Sequence, residues 1–243
     1  MPKYVIYLVA TIVVATAVEP ALAGPGGFIA KAAFETFWGK LALGVLTLVF
    51  LPLIVWVLLR EKRAELRARR DLRFMAAYAT AFDWILIKER VTDCFHRIHG
   101  AWRHEDVAAA AEWMTDWYWQ NQQLVYLDQW RNEGLVNICN VRRVSDLKPV
   151  LFVHRNHPGE HEDSSLVISI TANMQDYLLK RDKQEIVEGS KRYKNVETVW
   201  TFRFQQGQWK VANIEESHMS ITYAGMIRDL PAIESTVVSD LRA

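Results

Sequence analysis

The sequence predicts an α+β protein with a membrane helix near its N-terminus, and three patterns in the chain support this fold class. Residues 41 to 59 are nineteen consecutive uncharged and mostly apolar residues. Between residues 78 and 131, apolar residues recur at spacings of three and four, which is typical of amphipathic helices. From residue 135 onward the pattern alternates with period two, which predicts β-strands. Helices followed by a run of strands favour a layout in which an antiparallel sheet packs on the helices.

The apolar segment at residues 41 to 59 has the length of a transmembrane helix. At 1.5 Å per residue it extends about 28 Å, close to the ~30 Å thickness of the hydrocarbon layer. Pro52 lies inside it, and a proline is tolerated in a membrane helix because neighbouring groups satisfy the freed backbone atoms. We therefore expect this segment to cross a bilayer.

A basic segment follows the apolar one directly and predicts the topology. Residues 60 to 77 form a predicted juxtamembrane helix, and its cations outnumber its acids by seven to three up to residue 73. Such an excess marks the cytoplasmic side, so we expect the C-terminal part in the cytoplasm of a bacterial inner membrane. The alternatives for this segment are a purely topological flank or specific contact with anionic phospholipid or an acidic partner. The candidate lipid-binding residues are Arg60, Lys62, Arg63, Arg67, Arg69, Arg70 and Arg73.

The first 40 residues read as targeting and linker sequence. Residues 1 to 23 combine Lys3, an apolar run and a small-x-small motif at Ala21 and Ala23, as in a secretory signal peptide. If they are not cleaved, the same run becomes a first membrane helix, and both outcomes leave the C-terminus inside. Residues 24 to 40 form a linker whose aromatic residues suit the membrane interface.

The remaining chain is long enough for one domain, predicted at residues 78 to 220, followed by a tail at residues 221 to 243. Its helices are predicted at residues 78 to 99, ended by Gly100, at 105 to 117 and at 121 to 131. Its strands are predicted at residues 135 to 154, 165 to 179, 194 to 205 and 208 to 215, with turns at 157 to 163 and 206 to 207.

Two halves of this region resemble the Tim-44-like domain family. The first half, residues 82 to 144, contains the pattern Ala101, Trp102 and Asp106 and then EGLVN at residues 133 to 137. The second half contains ETVWTF at residues 197 to 202 followed by QWKVANI at residues 208 to 214. The resemblance covers about residues 74 to 220 and rests on order, spacing and tryptophan positions together. The chain lacks the long Gly-rich linker that many bacterial relatives carry.

The resemblance implies a cone-shaped fold like nuclear transport factor two, with three helices and a curved antiparallel sheet of about four strands around an apolar cavity. It implies no catalytic residues and no cofactor. It favours a membrane-anchored adaptor or accessory subunit of a larger inner-membrane protein complex. The alternative is a carrier or sensor of a small apolar ligand, a lipid or quinone-like molecule, in the cavity.

Aromatic and histidine clusters supply the candidate partner or pocket residues. They are Trp113, Trp117, Tyr118, Trp119, His154, His157 and His161. Aromatic side chains of this kind either fill the core or form a pocket or docking patch. The histidine spacing lies in a loop broken by Pro158 and Gly159, so it does not fix a metal geometry and we predict no metal.

The remaining features exclude several function classes. No phosphate-binding loop, dinucleotide motif or nucleophile elbow occurs, and no two acids are paired in sequence, so we predict no enzyme. The net charge is +1 and the basic excess is confined to the juxtamembrane segment, which argues against nucleic acid as a partner. Cys94 and Cys139 have no ligand spacing and are expected to be buried thiols.

Overall fold

The computed structural model describes residues 36–155 and 160–238. The signal-like residues 1 to 23, linker residues 24 to 35, His157 and residues 239 to 243 lie outside the described residues. The chain divides into two compact units, Met1–Lys62 and Arg63–Ala243.

The first described element is the 40-residue helix α1, Phe37–Ala76. It contains a window of apolar residues long enough to cross a membrane, of which only 6% is buried, and Pro52 lies within the helix as expected. Within the second unit, the last turns of α1 bury Ala68, Leu72 and Met75 in the main core. The helix therefore contains both an exposed apolar segment and residues that belong to a folded domain.

The helical part of the domain begins with a 3₁₀ turn at Thr80–Phe82 and the helix α2, Trp84–Arg103. Asp83 caps α2, because its carboxylate accepts hydrogen bonds from the amides of Ile85 and Leu86 at 2.7 and 3.4 Å. Gly100 does not end this helix, which continues to Arg103 because the next residue, Ala101, is buried against the core. The later helical segments are the 3₁₀ helix Val107–Trp113, α3 at Asp116–Gln122, a π-turn at Gln123–Leu127 and α4 at Asp128–Asn132.

The strands form one four-stranded antiparallel sheet in the order β1-β2-β3-β4, which confirms the predicted α+β class. Gln206 and Gly207 have φ values of +54° and +75°, the left-handed backbone that a two-residue hairpin turn requires. The strand bounds are β1 Leu135–Val153, β2 Ser165–Lys180, β3 Ile186–Gln205 and β4 Gln208–Glu216.

Each face of the sheet has its own core. Ile168, Ile170 and Trp200 face α2 in the main core, where Trp200 is fully buried and stacks near Phe95 with ring centroids 5.0 Å apart. Val167 and Val199 project to the opposite face, as the period of two requires. Ala64 of α1 and Ala224 of the helix α5, Met219–Met226, cover that face.

The chain continues in structure beyond the predicted domain end. A 3₁₀ turn at Ile227–Asp229 and the helix α6, Ile233–Val238, follow α5. Ile233 is 4% exposed and belongs to the main core. The described part of the predicted tail is thus packed onto the domain.

The first half of β3 forms an open edge of the sheet. β4 pairs with β3 only from Thr198 onward, so residues 186 to 197 have no strand on their outer side within the described chain. These residues are mostly exposed and pair only with β2.

Candidate functional site: a cavity between the helices and the sheet

A cavity of about 280 Å³ lies between the helices and the helix-facing side of the sheet. An open groove of about 550 Å³ adjoins it at the free half of β3. The cavity and the groove share Trp130, Asn137, Asp176 and Val196 in their walls, so these residues stand where one space meets the other. A small organic molecule fits such a space.

Asp176 is the carboxylate of the cavity wall. One of its oxygens accepts a hydrogen bond from the Asn137 amide at 3.0 Å, and this pair links β1 to β2. Among the described residues, Asn137 is the only side chain that bonds to this carboxylate. The second oxygen therefore retains its capacity to accept a hydrogen bond from a ligand.

His99 on α2 supplies a neutral ring to the same wall. Its Nδ1 lies 2.7 Å from the carbonyl oxygen of Phe95. A carbonyl only accepts, so Nδ1 carries the proton and Nε2 carries the lone pair. Burial lowers the pKa of His99 from 6.5 to about 4, although the hydrogen bond to the Phe95 carbonyl acts in the opposite direction. The imidazole is therefore uncharged at neutral pH.

Two further polar groups of the cavity also stay uncharged. Burial raises the pKa of the Tyr118 phenol, so it remains protonated. Burial, and to a smaller extent the charge of Asp176, raises the pKa of the Cys139 thiol to about 12. Asp176 is therefore the charged side chain among the described residues lining the cavity.

Three aromatic rings from different helical segments form one side of the cavity. The ring centroids of Trp102 and Trp130 are 5.6 Å apart, those of Tyr126 and Trp130 are 5.7 Å apart, and those of Trp102 and Tyr126 are 6.2 Å apart. We call these three residues the aromatic wall. Their tilted and edge-on arrangement is the one that aromatic side chains prefer.

Gly189 shapes the rim of the groove where β3 approaches β2. Its φ is +82°, and a Cβ atom placed there would stand 2.3 Å from the carbonyl oxygen of Asp176. No other residue fits this backbone without displacing β2. The close approach therefore fixes the position of Asp176.

The predicted aromatic residues are not brought together as one patch. Tyr118 is buried and lines the cavity, whereas Trp117 is 69% exposed to solvent. Trp119 is half-buried and packs against the core. Trp113 also packs against the core, and the guanidinium groups of Arg90 and Arg97 lie 3.7 and 4.3 Å from its ring centroid.

Two of the predicted histidines form a hydrogen-bonded pair at the end of β1. His154 is buried, and its Nε2 lies 3.0 Å from Nδ1 of His161 while its Nδ1 lies 2.8 Å from the hydroxyl of Thr236. That hydroxyl donates to the carbonyl of Ile233, so it accepts from His154 Nδ1 and leaves His154 Nε2 to accept from His161. The pair fastens α6 to the sheet, and within the described residues no group of three or more His, Cys, Asp or Glu side chains is placed to hold a metal.

The seven predicted lipid-binding residues divide by environment. Arg67 is half-buried and binds the C-terminal segment, since its guanidinium donates to the carbonyls of Ile227, Leu230 and Pro231 at 2.6, 3.1 and 2.9 Å. Arg60 and Arg69 are half-buried, with Arg69 paired to Glu65 at 2.8 Å. The exposed cations are Lys62, Arg63, Arg70 and Arg73.

His99, Asn137 and Asp176 were not singled out together by the sequence. They lie on three elements and meet only because of the sheet register, in which Cys139 pairs with Asp176. The available signal is the acid at an inward position of β2, after Ala172 and Met174, where the pattern calls for another apolar residue.

No family model matches the chain, and no curated protein matches it. Among solved structures, the chain is similar to the intermembrane space region of the chloroplast protein ARC6. The identity is 9%, the match covers 53% of this chain and 96% of that one, and the TM-score is 0.36.

Proposed function

We propose that this protein is a membrane-anchored adaptor of the Tim-44-like type. In this proposal the apolar part of α1 crosses a bacterial inner membrane, and the C-terminal unit is a nuclear-transport-factor-2-like cone in the cytoplasm. The cone serves as an accessory subunit that tethers a larger inner-membrane protein complex, without catalysing a reaction or holding a cofactor.

The observation that carries the proposal is the composition of α1. One helix contains an apolar window of transmembrane length and, further along, Ala68, Leu72 and Met75, which are buried in the core of the domain. A helix that contributes to a domain core ties that domain to whatever its other segment binds. This supports anchoring as a built-in property of the fold.

The exposed cations favour anionic phospholipid as the lipid partner. Lys62, Arg63, Arg70 and Arg73 follow the apolar window in sequence and are exposed. Each basic residue near an anionic leaflet contributes about 1 kcal/mol to membrane binding. Arg67 is left out of this set, because it is half-buried and its guanidinium is occupied by the C-terminal carbonyls. Arg70 stays in the set because it is exposed, although it also pairs with Asp71 at 2.9 Å.

Exposed apolar side chains on α3 and on the π-turn that follows it support a protein partner. Trp117 of α3 is 69% exposed, and Leu124 of the π-turn is 67% exposed. Large exposed apolar groups of this kind mark interaction sites more often than isolated surface residues do.

Purification of the full chain in a mild detergent tests the adaptor function. We expect a stoichiometric membrane protein to accompany the wild-type chain and to be lost from Trp117→Ser and Leu124→Ser. Ile85→Ser is the matched control, since Ile85 is 62% exposed on α2 and belongs to a different surface. A wild-type chain that always runs alone at its own mass refutes the adaptor role, and equal retention by all variants refutes the surface around Trp117 and Leu124 as the docking site.

Protease treatment tests the topology separately. In right-side-out spheroplasts the residues beyond Arg73 should be protected, and in inverted vesicles they should be cut. The reverse pattern would place the domain outside the cytoplasm.

The cavity favours a second candidate function, a carrier or sensor of a small ligand with an apolar body. The cavity and the groove together offer a path from solvent to a wall of aromatic side chains. Native mass spectrometry of the full chain released from detergent should show a bound small molecule. A spectrum with the apo mass alone, from gently extracted membranes, would argue against this function.

A further inference from the structure

The chemistry of the cavity wall selects among small ligands by charge. Of the described residues that line the cavity, Asp176 is acidic, none is Lys or Arg, and His99 is neutral. His99 presents a lone pair on Nε2, and one oxygen of Asp176 has no partner among the described side chains. His99 and Asp176 can therefore each accept a further hydrogen bond from a ligand.

The aromatic wall adds attraction of the same sign. The faces of Trp and Tyr rings carry negative charge density and attract cations within about 6 Å of the ring centroid. Trp102, Tyr126 and Trp130 all line the cavity and have their centroids within 6.2 Å of one another, so the three rings surround one part of it. Trp130 and Asp176 both belong to the junction of cavity and groove, which brings ring and carboxylate to the same place.

We propose that this cavity binds a small organic ammonium ion, with the charged nitrogen between Asp176 and the aromatic wall. The inference rests on the second candidate function, that the cavity takes a small molecule, and it names the class of that molecule. The apolar substituents of the ion lie against Ile98, Met174 and Ile214, which complete the lining. A carboxylate or phosphate group is rejected from this position, because it would meet the charge of Asp176 and no described residue that lines the cavity is Lys or Arg.

The groove accommodates the rest of a larger ligand. It is larger than the cavity, and two residues of its lining, Glu188 and Lys194, carry opposite charges. A substituent that extends from the ammonium group toward solvent therefore meets polar surface. Selection for the cation takes place at Asp176, where the groove meets the cavity.

A matched pair of probes tests the inference on the full chain in maltoside detergent. The probes are choline and 3,3-dimethylbutan-1-ol, its neutral analogue in which carbon replaces the charged nitrogen. Saturation-transfer NMR and tryptophan fluorescence titration measure their binding. We expect choline to bind at least about tenfold more tightly than the neutral analogue, a ratio equivalent to 1.4 kcal/mol.

Two substitutions separate charge from shape. Asp176→Asn keeps an oxygen that accepts from Asn137 but removes the charge, and it should weaken choline binding by about tenfold while leaving the neutral probe unchanged. Tyr126→Leu removes one ring of the aromatic wall and should weaken choline binding, whereas Tyr126→Phe keeps the ring and should preserve choline binding. Tyr126 is 41% exposed, so neither variant should unfold the domain. Circular dichroism checks that each variant is folded.

The outcomes distinguish this inference from the function on which it rests. Equal binding of the two probes would overturn the preference for ammonium while leaving the cavity as an apolar binding site. Binding of neither probe, together with an empty cavity in native mass spectrometry, would overturn both. Choline binding that Asp176→Asn does not alter would place the cation elsewhere and also overturn the assignment.

Discussion

Arg67 offers the sharpest test of how the domain is held together. Its guanidinium donates to the carbonyls of Ile227, Leu230 and Pro231, more than 150 residues later in the chain, and lies 3.4 Å from the buried carboxylate of Asp71. Arg67→Met keeps an unbranched apolar stem of similar length and removes every one of these bonds. We expect this variant to loosen residues 227 to 231, which lie between α5 and α6.

The magnitude follows from the number of bonds lost. Each net hydrogen bond contributes about 1 kcal/mol, so losing three to carbonyls lowers the free energy of unfolding by about 3 kcal/mol. Asp71 retains Arg70, whose guanidinium is 2.9 Å from it, so this carboxylate adds little further cost. For a unit of this size, 3 kcal/mol lowers the melting temperature by about 6 to 12 °C.

Thermal unfolding of the full chain in detergent, followed by circular dichroism, measures this change. Limited trypsin digestion supplies a local measurement, since Arg228 lies within the segment that Arg67 holds. Arg73→Met is the matched control, because Arg73 is exposed on the same helix and should change stability by less than about 0.5 kcal/mol. If Arg67→Met has the same melting temperature and the same rate of tryptic cleavage as Arg73→Met, Arg67 does not hold the C-terminal segment on the domain.

Three further predictions concern the cavity and the thiols. Gly189→Ala should destabilise the domain by more than 1 kcal/mol in denaturant titrations, because its Cβ would collide with the carbonyl of Asp176; an unchanged midpoint would show that the rim is not fixed there. The pKa of His99 is lowered to about 4 in the fold, so the unfolded chain binds more protons than the folded one between pH 6.5 and 4. The free energy of unfolding should therefore fall by up to about 3 kcal/mol on acidification through that range. His99→Gln should flatten this pH dependence, and a variant whose stability falls with pH as steeply as the wild type would contradict the assignment. Burial raises the pKa of the thiols of Cys94 and Cys139 to about 12, so both should react with a maleimide only after denaturation, and fast labelling at pH 7.5 in the native state would refute their burial.

The strands of the core were predictable because their residues alternate between two environments. In β2, Leu166, Ile168 and Ile170 face the main core, and this regularity is visible in the chain as written. The start of β3 was missed for the same reason. Residues 186 to 193 are exposed or nearly so, and a strand without a buried face carries no alternating pattern.

The cavity depends on register, which a sequence does not display. His99 and Asp176 are far apart in the chain, and only the pairing of β1 with β2 and the packing of α2 on the sheet bring them to one wall. The cluster of Trp113, Trp117, Tyr118 and Trp119 illustrates the opposite case. Neighbours in sequence point in different directions on a helical segment, so closeness along the chain did not produce one surface.

The open half of β3 has a consequence for the behaviour of this protein at high concentration. An edge strand has unpaired backbone N–H and C=O groups that can pair with the edge strand of another molecule, and proteins oppose this pairing with charged side chains on the edge. Lys191, Arg192 and Lys194 stand along this margin and are exposed. Two copies that met there with these residues facing one another would bring like cations together, which opposes pairing between the two edges.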